Sequence, residues 1–322
     1  MSGAATKTVV TRPRRVVPVV VILRLLWTAI KGWSRDDVPR LGASLAYYAL
    51  FSIAPILVIA IAIAGSFFGA DVVRGHLVGQ IDQLIGVEGG RAVQALLEGA
   101  AKSGSGPLAV VIGSVTFLIA SIGAFLELQH ALNTIFRVKS EPGSHVKAFV
   151  VARLRSFGLV LSIGFLLLVS LAVSAGLAAL SAWVEAGTGG AQFLWQVVNI
   201  IVSLSVITVL FAMIYRFLPD VRLQWRDVWT GAFITAILFV IGKQVIGLYL
   251  GRSGVSSSYG AAGSVVVLLL WVYYTAQIVL LGAEFTRVYA DREGTKPRAE
   301  EFAKPDPTAH PTAPGPTPAP AR

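Results

Sequence analysis

The chain has 322 residues, of which 55% are hydrophobic and only 14% are charged, and its formal net charge is +10. This composition excludes an ordinary soluble protein, because too few polar residues are present to cover so many apolar segments. The lack of cysteine excludes disulfides, thiolate chemistry and cysteine-bound zinc or iron–sulfur centres.

Six apolar segments reach or approach the length of about 20 residues that a membrane-spanning helix needs. They run over Leu41–Phe68, Leu108–Leu126, Phe157–Val184, Phe193–Tyr215, Val228–Leu250 and Gly263–Arg287. These are continuous apolar runs and not the short alternating strands of a transmembrane barrel. The sequence therefore predicts an all-α, polytopic membrane protein with six transmembrane helices.

The basic residues fall on alternate sides of these segments. If both termini lie on one face, that face holds all of the 27 Lys and Arg residues except five. The exceptions are Arg74, Arg91, Lys102, Arg252 and, inside the fifth segment, Lys243. Because translocated short loops are poor in Lys and Arg, the pattern predicts a multi-pass membrane protein with cytoplasmic termini. It also indicates membrane lipids with anionic headgroups as partners, and not nucleic acid.

The chain begins with a short basic stretch, residues 1–15, which is predicted to be disordered. An apolar run, Val16–Trp33, follows it. A signal peptide has a similar start, but here no convincing cleavage site follows and Arg24 interrupts the run. We predict instead an interfacial helix, with Trp27 and Trp33 at the level of the headgroups.

The first span is predicted to begin at Asp36–Pro39, which offers an acidic cap and an early proline. Pro55 lies in the middle of this span and predicts either a packing kink or a gating hinge. In the following loop, residues 66–106, Val72–Ile85 and Arg91–Ala101 have amphipathic helical spacing. We expect two short helices that lie over the outer mouth of the bundle.

The membrane domain, with its interfacial helix, is predicted to cover residues 16–290. Residues 291–322 are rich in Pro, Ala and Thr, and eight of the fifteen prolines lie from Pro297 onward. A segment of this composition cannot bury a core, so it is predicted to be a disordered cytoplasmic tail. Within the spans, the pairs Gly65–Gly69 and Gly247–Gly251 have the spacing that permits close helix approach.

Catalytic motifs are absent from the sequence. The four histidines are scattered, and no metalloprotease, phosphate-loop, nucleophile-elbow or dinucleotide fingerprint occurs. A metal-dependent hydrolase would need a compact set of ligands. We therefore predict no enzymatic activity, no cofactor and no metal site.

The ionisable residues of the spans are the better functional candidates, because a charge in hydrocarbon costs several kcal/mol. Lys243 is predicted to lie in the outer half of the fifth span. There it either snorkels or pairs with a carboxylate, or else contacts a substrate or ion. Glu127 and Glu284 are predicted near the inner surface. Glu284 stands three residues before Arg287, a spacing that predicts an exposed ion pair of small value.

Polar residues at helical positions extend this set. Asn133 and Gln277 are the kind of side chain that more often forms interhelical hydrogen bonds than ligand contacts. The predicted set, forming either a polar path or a group of structural pairs, comprises Lys243, Glu284, Glu127, Gln277, Tyr259, Asn133 and Pro55.

Several sequence blocks, in order, carry a family resemblance. They are Gly42–Pro55, Glu127–Phe136, Tyr215–Pro219, Gly242-Lys243, Tyr259–Gly263 and Trp271–Thr286. Over about residues 25–290 the chain resembles the YihY/BrkB family of bacterial inner-membrane proteins, formerly labelled ribonuclease BN. The resemblance implies six spans and cytoplasmic termini. It implies no settled activity, although members have been linked to serum resistance and to envelope lipid or solute transport.

Three functions follow as hypotheses. The first is a transporter or flippase for a lipid, an amphiphile or a small solute. The second is a structural or scaffold membrane protein, in which the polar residues only pair between helices. The third, an RNA-processing enzyme, finds no support in the residues named above.

Overall fold

A computed structural model gives the structure of the chain. It describes residues 19–69, 71, 73–75, 90–91, 93–95, 97–99, 123–140, 192–254, 258–259, 262–293, 297–299 and 303–306. The helices are α1 (Val19–Arg35), α2 (Val38–Phe68), α3 (residues 123–136), α4 (Gln192–Phe217), α5 (Trp225–Arg252) and α6 (Gly263–Glu293). The strands are β1 (Val138–Ser140), β2 (Val221–Arg222), β3 (Arg298–Ala299) and β4 (Ala303–Pro305).

Three of the described helices, α4, α5 and α6, are long and apolar enough to cross a membrane. They contain the predicted fourth, fifth and sixth spans. The first predicted span lies within α2, a helix of 31 residues. Most of the second span and all of the third lie outside the described residues, so the count of six spans stays a prediction.

Helix α6 is the centre of the described bundle. It packs against α5, α2 and α1, while α4 packs against α5 and reaches α6 through Tyr215. Leu25 and Ala29 of α1 contact Phe285 and Tyr289 of α6. Because Trp33, further along α1, reaches Gln277, earlier in α6, the two helices run antiparallel.

The opposite face of α1 is apolar and exposed. It carries Val20, Leu23, Trp27 and Ile30. Lys31 Nζ lies 5.5 Å from the centroid of the Trp27 ring, so a cation and an aromatic ring meet on this face. This arrangement is typical of an interfacial helix and suits the prediction for Trp27. Trp33 differs, because its ring is half-buried and turned toward α6.

The junction of α1 and α2 corrects the predicted acidic cap. Asp37 holds the N-cap position of α2, but with a left-handed backbone (φ 51°) and no capping hydrogen bond from its side chain. Its carboxylate pairs instead with the exposed Arg40, at 2.6 Å. Asp36, the residue before it, turns its side chain into the protein, where only 8% of it is exposed.

The largest core cluster lies at one end of the bundle, where the strands also lie. It joins Val38 of α2, Leu132 and Ile135 of α3, Tyr215 of α4 and Val228 of α5. We call this end, with the adjoining parts of α1 and α6, the strand end. The opposite end, around Leu250 of α5 and the start of α6, is called the loop end.

The strands correct the prediction of a disordered tail from residue 291. Helix α6 continues to Glu293. Beyond it, β3 pairs antiparallel with β2, and β4 pairs antiparallel with β1. The backbone N–H of Asp306 also donates to the carbonyl of Arg137, at 2.9 Å. Although the segment buries little core, its backbone finds hydrogen-bond partners in two distant turns.

Helical residues occur in the predicted loop 66–106, at 71, 73–75, 90–91, 93–95 and 97–99. Val93 and Leu97 are buried against Ile61 of α2 and Leu268 of α6. Apolar packing therefore holds this segment against the loop end, in agreement with the predicted amphipathic spacing.

Among the described residues, close helix approach occurs at glycines other than the predicted Gly247 and Gly251. A Cβ atom added at Gly247 or Gly251 would meet nothing within 4 Å among the described residues. At the strand end, a Cβ at Gly231 of α5 would collide with the side chain of Thr286 on α6. A Cβ at Gly282 of α6 would collide with Thr235 of α5. These two glycines set the spacing between α5 and α6.

Candidate functional site

The predicted site residues do not gather into one path. Lys243 is half-buried on α5, and Tyr259 near the loop end is 59% exposed. Glu127 is half-buried near the start of α3. Pro55 lies within α2, but its side chain falls outside the described part of the structure.

Asn133 bonds to a turn and not to a second helix, which differs from the predicted interhelical bond. Its Nδ2 donates to Asp220 Oδ2 at 2.8 Å, and its Oδ1 accepts from the backbone N–H of Asp220 at 2.8 Å. Gln129, one turn earlier, donates to Asp220 Oδ1 at 3.0 Å. These bonds fix α3 to the turn that follows α4, and they are structural in character.

Gln277 lies where α1, α2 and α6 meet. Its Oε1 accepts a hydrogen bond from Trp33 Nε1 at 3.0 Å, as an interhelical role predicts. Its amide nitrogen is so close to Gly42 of α2 that a Cβ at that glycine would overlap it. Helix α2 can therefore approach α6 here only because residue 42 is glycine.

Glu284 and Arg287 form a buried ion pair, which corrects the prediction of an exposed one. Arg287 Nη2 donates to Glu284 Oε2 at 2.6 Å, and the two side chains are 5% and 0% exposed. Helix α1 covers the pair, because Gly32 brings its backbone close. A Cβ added at Gly32 would lie 2.7 Å from Glu284 Oε2.

Other charged residues extend this pair into a cluster. Arg287 Nη1 lies 3.4 Å from Asp291 Oδ2, and Arg137 Nη2 lies 3.7 Å from Asp36 Oδ2. The five residues, Asp36, Arg137, Glu284, Arg287 and Asp291, are called the charged cluster. It joins the α1–α2 turn, the end of α3 and the last turns of α6.

Sequence reasoning paired Glu284 with Arg287 but missed the other members of the cluster. Glu284, Arg287 and Asp291 follow one another at spacings of three and four, which places them on one face of α6. That signal was available in the sequence. Asp36 and Arg137 lie far away in the chain, and no local pattern connects them to α6.

Arg137 remains a cation despite its surroundings. Burial lowers the pKa of its guanidinium from the usual value, and the like charge of Arg287 lowers it further. The three carboxylates of the cluster act in the opposite direction. Because an arginine keeps its proton in proteins, Arg137 is a fixed positive charge here.

Backbone strain accompanies the charges. Asp37 and Arg137, at φ 51° and 60°, are the non-glycine residues with positive φ in the described part of the chain. Asp37 adjoins the cluster and Arg137 belongs to it. Such conformations cost about 1–3 kcal/mol each and tend to occur at functional sites.

Several buried polar atoms at this site have no hydrogen-bond partner among the described residues. They are Asp36 Oδ2, Arg137 Nε, Gln277 Nε2 and Glu284 Oε1. A buried polar atom left unpaired costs about 1–3 kcal/mol, so these atoms are the places where a bound polar group would be stabilised. No group of acidic or histidine residues in the described part could hold a metal ion.

A second concave feature lies at the loop end. It is a pocket of about 310 Å³ between the helical residues near 71–75 and those near 94–98. Its lining residues are Asp71, Arg74, Gly75, Gln94, Leu97 and Glu98. It is open to the surface, and it is separate from the buried charges at the strand end.

Comparison with known proteins is consistent with a membrane protein. A family model described as virulence factor BrkB matches residues 29–307. The UPF0761 membrane protein RSc1559 of Ralstonia nicotianae is 30% identical over 79% of this chain, which spans 56% of that relative's length. The UPF0761 membrane protein of Cronobacter sakazakii is 29% identical over 90% of this chain and 96% of its own length. No solved structure matches the chain.

Proposed function

Because the chain belongs to the virulence factor BrkB family of membrane proteins, we propose that it moves an amphiphile across the bacterial inner membrane. The charged cluster contacts the polar headgroup of that amphiphile. The strand end, with both termini, faces the cytoplasm in this proposal. The observation that carries it is the set of unpaired polar atoms within the buried cluster.

The energetics favour a role for the cluster beyond packing. Replacing a buried ion pair with apolar residues of similar volume is often neutral or stabilising by about 1–4 kcal/mol. A pure scaffold would therefore gain little from burying Glu284 and Arg287. The cost is more readily understood if a headgroup supplies the missing hydrogen bonds during part of a working cycle.

The surroundings of the cluster suit a molecule with one polar and one apolar part. The exposed face of α1 offers an apolar stripe, Val20 to Ile30, to which an acyl chain can pack. On its other face, α1 covers Glu284 and Arg287. A movement of α1 away from α6 would expose both surfaces to the same ligand.

A scaffold function is the second candidate, and the network around Tyr215 favours it. The Tyr215 hydroxyl donates to the carbonyl of Val279 at 2.7 Å and lies 3.1 Å from Thr235 Oγ1. This network has hydrogen bonds that join helices, and that of Asn133 with Asp220 joins a helix to a turn; neither needs a ligand. It does not account for the unpaired atoms of the charged cluster.

A scrambling assay tests the proposal. The purified full-length chain is reconstituted into vesicles with a fluorescent phospholipid, and the accessible label is bleached from outside. Wild-type protein is expected to make the label of the inner leaflet accessible to bleaching. Glu284→Gln is expected to lower the rate of scrambling about tenfold, which corresponds to ~1.4 kcal/mol.

The matched control is Glu127→Gln, the same change at a half-buried carboxylate outside the cluster, which is expected to leave the rate unchanged. The same fraction of fluorescence lost from vesicles with wild-type protein and from protein-free vesicles would favour the scaffold function. This holds if the result is the same for this lipid and for anionic lipids.

A further inference from the structure

A group of large aromatic side chains is exposed at the strand end, where α4 ends and α5 begins. Phe217 is the last residue of α4, and Trp225 is the first residue of α5. Trp229 and Phe233 follow on α5 at intervals of four residues, which places them along one side of that helix. Between 44% and 48% of each of these residues is exposed. We call the four residues the aromatic patch.

The rings of the aromatic patch contact one another and form a single surface. Phe217 and Trp225 meet edge to face with their centroids 6.0 Å apart, and the centroids of Trp225 and Trp229 are 6.5 Å apart. Exposed tryptophans of membrane proteins concentrate at the level of the lipid headgroups, because the ring is apolar and its N–H group is polar. Phe233 extends the patch from that level toward the middle of α5.

A cation is held against this patch. The guanidinium carbon of Arg216 lies 5.5 Å from the centroid of the Trp225 ring, and Arg216 Nη1 donates to the backbone carbonyl of Leu223. Among the described residues, Arg216 has no carboxylate partner. A guanidinium group has five N–H donors in a planar fork that fits the oxygens of a phosphate group. The bond to Leu223 uses only one of them.

A second guanidinium group belongs to the same turn. Arg222 is exposed in β2, and it directly precedes the residue whose carbonyl Arg216 contacts. The two acidic residues of this segment are directed elsewhere, because Asp220 is bonded to side chains of α3 and Asp227 is buried. The surface of the turn therefore presents positive charge beside apolar rings.

We propose that this surface binds one anionic phospholipid, with its phosphate group at Arg216 and Arg222 and an acyl chain along the aromatic patch. Charge decides the class of headgroup, because two guanidinium groups attract a headgroup of net negative charge and repel the ammonium group of a zwitterionic one. Arg226 is left out of the site, since it pairs with Glu293 at 3.1 Å. The site shares no residue with the charged cluster and does not depend on transport.

Native mass spectrometry of the full-length protein, released from detergent micelles, tests the proposal. The two probes are phosphatidylglycerol and phosphatidylethanolamine at equal concentration, and we expect wild-type protein to retain phosphatidylglycerol more strongly. The double variant with Arg216→Gln and Arg222→Gln should bind its first phosphatidylglycerol about thirtyfold more weakly, because each basic residue near a lipid surface contributes about a factor of five.

Arg292→Gln is the matched control. Arg292 is exposed in the last turn of α6, so its substitution removes the same charge from a different surface of the strand end. It should change the retention of either lipid by less than about twofold, since interactions between distant exposed charges are screened. An aromatic variant, with Trp229→Ala and Phe233→Ala, should bind both lipids more weakly, because the rings contact the acyl chain whichever headgroup it carries.

Three results would overturn the proposal. They are equal retention of the two lipids by wild-type protein, a double arginine variant that retains phosphatidylglycerol as well as Arg292→Gln does, and an aromatic variant that binds both lipids as before. If the double variant does not fold without the bond to Leu223, Arg222→Gln alone decides, because that side chain is exposed. It should weaken phosphatidylglycerol binding about fivefold, and an unchanged affinity contradicts the proposal. Lipid retention is measured without transport, so a failure of the scrambling assay leaves this test intact.

Discussion

The two ends of the same helices are held together in different ways. At the loop end, Ile61, Val93, Leu97 and Leu268 form a small apolar cluster. At the strand end, α5 and α6 bury polar side chains together with apolar ones. These are Asp227, Thr235, Glu284, Thr286 and Arg287. A membrane protein gains little from apolar contact alone, since lipid is equally apolar, so specific polar contacts and close packing fix the strand end.

Helix α5 contains this difference within its own length. Toward the strand end it buries small residues, Gly231 and Ala232, against α6. Toward the loop end, a Cβ atom added at Gly247 or Gly251 would meet nothing within 4 Å in the described part, and Val245 is exposed, although Ile246 and Leu250 pack against α6. At the strand end α5 and α6 are therefore in close contact, and this is also where charges are buried and where the described non-glycine residues with positive φ lie. Substitutions should have large effects there and small effects at the loop end.

The largest expected effect comes from Arg287→Met, which keeps an apolar stem of similar length but removes the charge. Glu284 then loses its nearest cation in a fully buried position. Removing one partner of a buried ion pair typically costs about 3–5 kcal/mol. We expect a loss of that size in the free energy of unfolding, measured by circular dichroism in mixed detergent micelles.

Arg292→Met is the matched control for this substitution. Arg292 is exposed in the last turn of α6, five residues further along the same helix. Its replacement should change the free energy of unfolding by less than about 0.5 kcal/mol, as is usual for surface positions. Equal effects of the two substitutions would mean that burial of the charge does not distinguish the strand end.

A smaller effect is expected from Gly231→Ala. The new methyl group would collide with Thr286, whose hydroxyl is held by a 2.8 Å bond to the carbonyl of Gly282. Overpacking of this kind costs about 1–3 kcal/mol. The matched control is Gly247→Ala on the same helix, where the methyl group meets none of the described residues and alanine favours the helix by up to about 1 kcal/mol.

Opposite signs for the two glycine substitutions, in the same unfolding measurement, would support the contrast between the ends. A stabilising effect of Gly231→Ala would show that α5 and α6 are not in close contact at the strand end. The comparison is direct because the residue types, the helix and the added atoms are the same.

Local sequence patterns were sufficient for the helices. The apolar runs predicted α2, α4, α5 and α6, because a helix that satisfies its own backbone in lipid has to be long and apolar. The interhelical bond of Gln277 was predicted for a similar reason, since an amide within a span seeks a partner. These features depend on a residue and its near neighbours in sequence.

Features that depend on distant chain segments were missed. The Glu284–Arg287 pair has a spacing that an exposed pair would also have. Its burial comes from Gly32, about 250 residues earlier in the chain. The strands β3 and β4 are two and three residues long, too short for an alternating pattern to be detected. The amino-acid composition indicated disorder there, because composition carries no information about backbone pairing with a distant turn.

The smallest effect, and the most local one, is expected from removal of these strands. A chain that ends at Pro297 lacks β3, β4 and the bond from Asp306 to Arg137. Backbone hydrogen bonds contribute about 0.5–1.5 kcal/mol each, but short exposed strands fray, so we expect a loss of roughly 1–2 kcal/mol. Hydrogen exchange should rise in β1 and β2 and remain unchanged at the loop end.

A chain that ends at Pro307 keeps both strands and serves as the control. If the two truncated chains exchange alike at Val138–Ser140, the tail does not hold the strand end. That end would then be held by the charged cluster and the close packing of α5 with α6.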